Sequence, residues 1–460
     1  MSDRSHRDAA DAVYAQLLTR VGEGKPERRL DATRRAVEVL GDPQKAYPII
    51  HITGTNGKTS TSRIAESILR AYGLRTGLLT SPHLERFNER ILIDGEPIDD
   101  EALARNWEEI TPYLELVDAE LEAAGRARLT FFEAVTALGF ACFADAPIDV
   151  AVVEVGMGGE WDSTNVGDGT VAVFTPISLD HMAQLGNTVA EIARTKAGII
   201  KDGATVVTAR QTPEAMRELQ AAAAQHGASV ISQPAQFDVT STSVAVGGQL
   251  VDVRGVAGAY DGLALPLYGD HQAQNAAVAI AAVEAFIGGG EHALTYDLVA
   301  EGIAGATSPG RLQLIGTEPT VIVDAAHNPS GAATLRAALE RFFDFDEVAV
   351  VLGVLKDKDA HGIIDALGPV ATQLIVTQSH SERARASEDL AEDVYEWTHE
   401  HVDEADDLGE AIEAARAWAL EGEKRAVVVT GSITLVGEAM TLAGERGWKS
   451  TRPGDGEGDE

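Results

Sequence analysis

Hydrophobic positions along this chain of 460 residues follow two alternating rhythms. Short continuous apolar runs, the pattern of strands buried on both faces, give way to stretches with helical spacing. Residues 1–46 read as amphipathic helices through Val13, Leu17 and Leu18, then Leu30, Ala36, Val37 and Leu40. Pro48-Ile-Ile opens the first strand, and Lys58 starts a helix through Arg63, Ile64, Ile68 and Leu69. Further strands are expected at 75–79, 149–155, 170–174 and 204–208, with helices near 99–124, 130–145, 188–196 and 212–226. From about 236 to 268 the period shortens to alternation with glycine turns, which predicts a small antiparallel sheet. A helix from His271 to about Phe286 follows, and glycine, serine and proline then cluster across Ala304–Gly310. Beyond them, strands near 320–323, 347–352, 372–376 and 425–430 alternate with helices. Such alternation predicts an α/β protein with doubly wound sheets. Residues 1–307 form the first domain, with the small antiparallel sheet attached, and 308–452 a smaller Rossmann-like α/β domain. Pro453–Glu460, acidic and rich in glycine, is expected to be a disordered tail.

Composition adds constraints. At 45% hydrophobic residues the chain can fill the cores of two or three domains. A charged N-terminus and the lack of any 18-residue apolar run argue against a signal peptide and a membrane span. The single cysteine, Cys142, sits in an apolar helical pattern, which fits a small core residue and a reducing cytoplasm. Net charge is −35, from 72 acidic and 37 basic residues, and only nine of the basic ones are lysine. That balance disfavours a nucleic-acid partner. It suits molar salt, where the Debye length falls to about 3 Å and self-repulsion is screened. An acidic surface also repels anionic ligands, so local cations must capture them.

The candidate chemistry begins at His51-Ile-Thr-Gly-Thr-Asn-Gly-Lys-Thr59. Strand, glycine loop and a helix opening on Lys58-Thr59 form the arrangement that wraps a triphosphate in backbone N–H groups. The first glycine of the strict phosphate-loop pattern is replaced by Ile52. A bound triphosphate needs a divalent cation, and three candidate ligands lie just past predicted strand ends: Ser81, Glu154 and His181. A carboxylate in the apolar run 149–155 is costly unless paired or metal-bound. Ser81 reads equally as a turn residue, His181 as a loop histidine, and Lys196 as a lysine favoured by a helix C-terminus. His271 and Asn275 share one helix face, where an amide could read an adenine edge. Arg311 follows the Ser308-Pro-Gly joint and suits a phosphate oxygen, while Asp324 and His327 end the first strand of the second domain.

These motifs occur in one order: the phosphate loop, TSPHLERFNERI, FFEAVTALGF, EVGMGGEWDSTN, SLDHM with ARTKAGIIK, GDHQAQN, PGR, DAAHNP, KDKD and TGS. Together, from about residue 13 to 445, they resemble the folylpolyglutamate synthase/dihydrofolate synthase family of the Mur-ligase superfamily. The resemblance implies an ATP-dependent ligase that adds L-glutamate to dihydropteroate or a reduced folate through an acyl phosphate. It implies that Thr55, Asn56, Gly57, Lys58 and Thr59 hold the phosphates, with Asn275, Arg311 and Asp324 as further nucleotide contacts. Ser81, Glu154 and His181 become Mg²⁺ ligands, and Lys196 matches a lysine that is carbamylated to bind a second Mg²⁺; K⁺ is a further candidate ion. Arg90, His327 and Ser432 match positions that bind the incoming glutamate, and Lys58, Lys196 and His327 are the expected catalytic residues. A cytoplasmic monomer without nucleic-acid or membrane partners is expected. Thr59 stands where many members have glycine, and TGSITLVGE lacks the usual aromatic, so acceptor choice stays open. The alternative is a peptidoglycan-type amino-acid ligase, for which 46 residues ahead of the first strand leave too little room for a substrate domain.

Overall fold

The computed structural model describes residues 3–23, 27–398 and 401–448; the tail expected at 453–460 lies outside them. The chain divides into two compact units. The first comprises Met1–Thr242, Val251–Ala264 and Ala273–Ala306; the second comprises Ser243–Leu250, Leu265–Gln272 and Thr307–Glu460. The sequence boundary at 307/308 takes no account of the two short stretches before it that group with the second unit. No helix among the described residues is long and apolar enough to cross a membrane.

The first unit is built on eight strands: β1 (Ile49–Thr53), β2 (Thr76–Leu79), β3 (Ile91–Ile93), β4 (Glu96–Pro97), β5 (Val150–Glu154), β6 (Gly169–Phe174), β7 (Thr205–Thr208) and β8 (Ser229–Ser232). Their order is β4-β3-β2-β5-β1-β6-β7-β8. The pairs from β2 to β8 are parallel, and β3 and β4 add an antiparallel edge. Every residue of β1 and β5 is buried, which is why both read as unbroken apolar runs. On one pleat face, Ile49, Ala151 and Val153 pack with residues of helices Asp3–Leu18, Asp31–Val39, Asp100–Ala123 and Phe131–Asp145. Ala172 and Phe174 meet the helices Val189–Ala197 and Pro213–Gln225. The helix Lys58–Ala71 packs against β1, β2 and β5. It opens with polar, weakly helix-forming residues, so burial of Ile64, Ala65, Ile68 and Leu69 stabilises it more than propensity does.

Three further strands, β9 (Asp238–Ala245), β10 (Gly248–Arg254) and β11 (Ala259–Leu265), lie in the order β11-β10-β9. The turns Val246-Gly247 and Gly255–Gly258 are short enough that neighbouring strands run antiparallel, as the alternation predicts. The second unit carries β12 (Gln313–Thr317), β13 (Thr320–Asp324), β14 (Glu347–Leu352), β15 (Ala371–Val376), β16 (Asp403–Glu404) and β17 (Arg425–Thr430), ordered β12-β13-β17-β14-β15-β16. All pairs are parallel except β12 with β13. Ile322, Val350 and Val428 share a core with the helices Pro329–Phe342, Ala360–Leu367 and Ser387–Thr398. The helices Leu408–Leu420 and Ile433–Glu445 also pack on β17. Both sheets are thus doubly wound. The strands the apolar pattern misses (β3, β4, β8, β12 and β16) are short or only partly buried, so they leave no apolar run.

One contact fixes the back of the helix Lys58–Ala71. Gly302, on the helix Tyr296–Ala304, lies so close that a Cβ there would come 2.5 Å from Ile68 Cα, and Ser67 Oγ donates to Gly302 O at 2.7 Å. Alanine is normally up to about 1 kcal/mol better than glycine within a helix. Overpacking costs about 1–3 kcal/mol and outweighs it where neither backbone can withdraw. Gly302→Ala is therefore expected to lower the urea midpoint; a raised midpoint would show that the helices can part.

Candidate active site

The loop after β1 depends on two glycines. Gly54 has φ +154°, and a Cβ on it would overlap Thr175 Oγ1. Gly57 has φ +89°, and a Cβ on it would lie 2.5 Å from Asn275 Oδ1. Only a residue without a side chain meets both demands. Thr55 N donates to Pro176 O at 2.9 Å, and its hydroxyl exchanges hydrogen bonds with Ser178, tying the loop to the segment after β6. Lys58 opens the helix with Gly57 as its left-handed cap, leaving the helix N-terminus directed at the loop. Asn56, Gly57, Lys58, Thr59 and Asn275 therefore form one surface.

Glu154 ends β5, next to β1, and is only 2% exposed. Its carboxylate accepts from Thr59 Oγ1 at 2.8 Å and from Thr80 Oγ1 in a shorter bond. Ser81 follows Thr80, its peptide to Pro82 being cis. His181 has left-handed backbone angles and caps the short helix Met182–Leu185, its Nε2 3.9 Å from Asp180. No group of three or more His, Cys, Asp or Glu side chains able to hold a metal ion occurs among the described residues. A candidate ion here would instead draw on hydroxyls, one carboxylate, the His181 imidazole and solvent, a mainly hard-oxygen set of the kind Mg²⁺ prefers.

Lys196 is 4% exposed, and its Nζ donates to Gly54 O at 2.6 Å. Lys58 Nζ reaches the same carbonyl at 3.4 Å and Thr55 O at 3.2 Å. Burial, then the neighbouring Lys58 charge, pulls Lys196 down to about 7, against the attraction of Asp180 and Asp162. Asp162 is itself raised by burial, while it accepts from Met157 N, Thr164 N and Thr164 Oγ1. Thr164 Oγ1 in turn meets His51 Nε2 at 2.9 Å, and burial lowers that imidazole to about 3, so it is neutral.

Arg90 is joined to this group through its backbone, Thr80 N donating to Arg90 O at 2.9 Å, but its side chain is engaged elsewhere. Its guanidinium is bidentate to Glu23 at 2.8 and 3.1 Å, donates to His83 Nδ1 at 2.8 Å and lies over the Phe131 ring.

In the second unit the expected residues gather at the ends of the adjacent strands β13 and β17. Asp324 accepts from Leu312 N at 3.0 Å and Ala326 N at 2.9 Å. Burial raises its carboxyl, opposed by Arg311 first and more weakly by His327. His327 Nδ1 lies 2.9 Å from Ala325 O. Ser432 caps the helix Ile433–Glu445 by accepting from Leu435 N at 3.2 Å, and the preceding Gly431 N donates to Ala326 O at 3.1 Å. A cavity of about 410 Å³ opens between Asp270, His271, Ser330, Thr334 and Ala337.

The structure adds Thr80, Asp162 and Asp180 to this chemistry. Thr80 was readable as the polar residue ahead of Ser81, and Asp180 as the acid within SLDHM. Asp162 left no local signal, because its link to Lys196 exists only in the folded unit.

Two family models match the chain: the Mur ligase middle domain over residues 100–283, and the Mur ligase glutamate ligase domain over 310–433. The chain is 44% identical over 445 residues to the dihydrofolate synthase/folylpolyglutamate synthase of Mycobacterium tuberculosis, covering 91% of each chain. It superimposes on the Mycobacterium tuberculosis folylpolyglutamate synthase complexed with ADP with a TM-score of 0.91 and 42% identity, covering 95% of this chain and 99% of that one. Escherichia coli FolC in complex with DHPP and ADP matches with a TM-score of 0.82 and 30% identity, covering 94% and 98%. The chain belongs to the folylpolyglutamate synthase/dihydrofolate synthase family of ATP-dependent, amide-bond-forming Mur-type ligases.

Proposed function

We propose that this protein joins L-glutamate to dihydropteroate, to a reduced folate, or to both, using ATP and passing through an acyl phosphate. The observation that carries this reading is the loop itself. Lys58, the helix N-terminus and the Thr59–Glu154 pair meet there, beside a buried lysine of lowered basicity. The acceptor carboxylate oxygen forms a bond to the γ-phosphorus as the bond from that phosphorus to ADP breaks. The glutamate amine then displaces phosphate, giving the amide. Anions meet throughout, so the loop amides and Lys58 would hold the phosphates and offset charge on the transferring group, and Arg311 is kept as a separate candidate nucleotide contact.

The residues present fit Mg²⁺. Ser81, Glu154 and His181, with the Thr59 hydroxyl beside them, would hold the ion, which supplies charge neutralisation at the phosphates. Lys196 is enclosed and about half neutral near pH 7, the neutral amine being the form that adds to CO₂; its carbamate would give an anionic ligand for a second ion. His327 and Ser432 are our candidates for the incoming glutamate. Arg90, the third residue expected to meet glutamate, has its guanidinium engaged by Glu23. The acidic excess supports work in concentrated salt, and buried, reduced Cys142 a cytoplasmic setting.

ADP release in molar KCl, with L-glutamate and either dihydropteroate or tetrahydrofolate, is expected to require all three substrates. Silence with both acceptors alongside turnover of a muramyl nucleotide would move the protein to the peptidoglycan branch. Lys196→Ala is expected to lose most of the activity, with formate or acetate restoring part of it; full activity would remove the carbamate from the mechanism. The sign of the pH response follows from a folded-state value lowered to about 7. The uncharged amine rises from about a tenth at pH 6 to about nine-tenths at pH 8. Activation by added bicarbonate in CO₂-depleted buffer should therefore grow across that range, and a flat response would contradict it.

A further inference from the structure

Arginine supplies 28 of the 37 basic residues, and most of these side chains are spent on carboxylates or carbonyls. Arg29 is bound by Glu133, Arg90 by Glu23 and Arg425 by Glu347. Among the described residues, only Arg311 and Arg63 are shielded from full exposure and make no side-chain hydrogen bond or ion pair. Arg311 already has a proposed ligand in the nucleotide. Arg63 has none.

The Arg63 Nε is enclosed without a hydrogen-bond partner. Burial pulls the guanidinium below its ordinary range, although Glu154, Glu89 and Glu66 all attract it. None of the three is available to pair with it. Glu154 serves Thr59 and Thr80. Glu89 accepts from Leu84 N, Glu85 N and Arg86 N at 2.8, 3.1 and 2.7 Å. Glu66 is taken by Arg70 and Thr76. A shielded guanidinium with unused donors is costly to keep in an acidic protein unless a ligand completes it.

Its place indicates the ligand. Arg63 follows Thr59 by four residues on the helix Lys58–Ala71, so it shares the face that meets Glu154. Its other neighbouring charge, Glu89, holds the loop that carries His83 and Phe87. Those rings cluster with Tyr14 and Phe131: Tyr14 stacks on Phe87 at 5.5 Å and meets Phe131 edge-on at 6.3 Å. Arg63 therefore has the phosphate-binding machinery on one side and, by way of Glu89, an aromatic cluster on the other, whose partly exposed members are Tyr14 and His83. An aromatic acid whose carboxylate must reach a phosphate has this same polarity, and the planar guanidinium matches a carboxylate with two parallel bonds.

We propose that Arg63 binds the acceptor's carboxylate and holds one oxygen towards the phosphate loop. This rests on the ligase reading above. The test compares dihydropteroate with its decarboxylated analogue, by calorimetry on the full-length protein saturated with a non-hydrolysable ATP analogue. The wild type should prefer the carboxylated ligand at least tenfold. Arg63→Met should bring the two within about twofold by weakening only that ligand, while nucleotide affinity stays at the wild-type value. In turnover, the same variant should raise KM for the acceptor and leave KM for ATP and L-glutamate within about twofold. Arg63→Lys keeps the charge without the fork and should retain an intermediate preference; it also serves as the test if Arg63→Met does not fold. Unchanged preference in the variants, equal weakening of both ligands, or a loss confined to ATP would each overturn the proposal. A wild type that binds neither acceptor would instead refute the ligase reading.

Discussion

The Gly54 carbonyl is the point on which the site turns. Two lysine side chains 138 residues apart in sequence converge on it from different helices, Lys196 at 2.6 Å and Lys58 at 3.4 Å. Two ammonium groups at one buried acceptor repel each other, and the more enclosed one is the cheaper to neutralise. Lys196, enclosed beside Lys58, is the one whose basicity falls. One backbone atom thereby divides two identical side chains, one enclosed and of lowered basicity, the other at the head of a helix; their proposed roles, an amine for chemistry and a cation for phosphate, follow that division. The division requires Gly54 to sit against Thr175 with no side chain of its own.

Around that point the acidic composition acquires a local meaning. A chain with net charge −35 gains little from one more cation on its surface, where solvent and salt screen it. Cations that are shielded and left without a carboxylate act strongly on whatever enters. Arg63 is of that kind, whereas Arg90 is held by Glu23. The electrostatics of the site thus follow from which carboxylates are already engaged, more than from net charge.

Much of this was legible in advance. The unbroken apolar runs of β1, β5, β6, β14 and β17 announced two doubly wound sheets, because strands covered on both faces carry no polar alternation. The glycine spacing, Lys58-Thr59 and Glu154 at a strand end announced the phosphate loop and its acidic partner. Strands at the sheet margins such as β3, β4 and β12 left no trace, since they are too short or too partly buried to set a pattern. Arg63 read only as part of a helical repeat, and Arg90 as a substrate contact with nothing to reveal that Glu23 occupies it.

The sequence by itself therefore determined the layer order, the loop and the set of residue types able to carry phosphoryl chemistry, all of which depend on local spacing and on burial averaged along a strand. Tertiary structure alone decided which of those groups are partnered and which are left open. Lys196 loses basicity because the fold buries it beside Lys58; Arg63 stays unpaired because Thr59, Thr80, Arg70, Thr76 and the 84–86 amides have claimed its neighbours. Such outcomes arise from competition among distant side chains for the same few hydrogen bonds, and no local window of sequence contains the competitors.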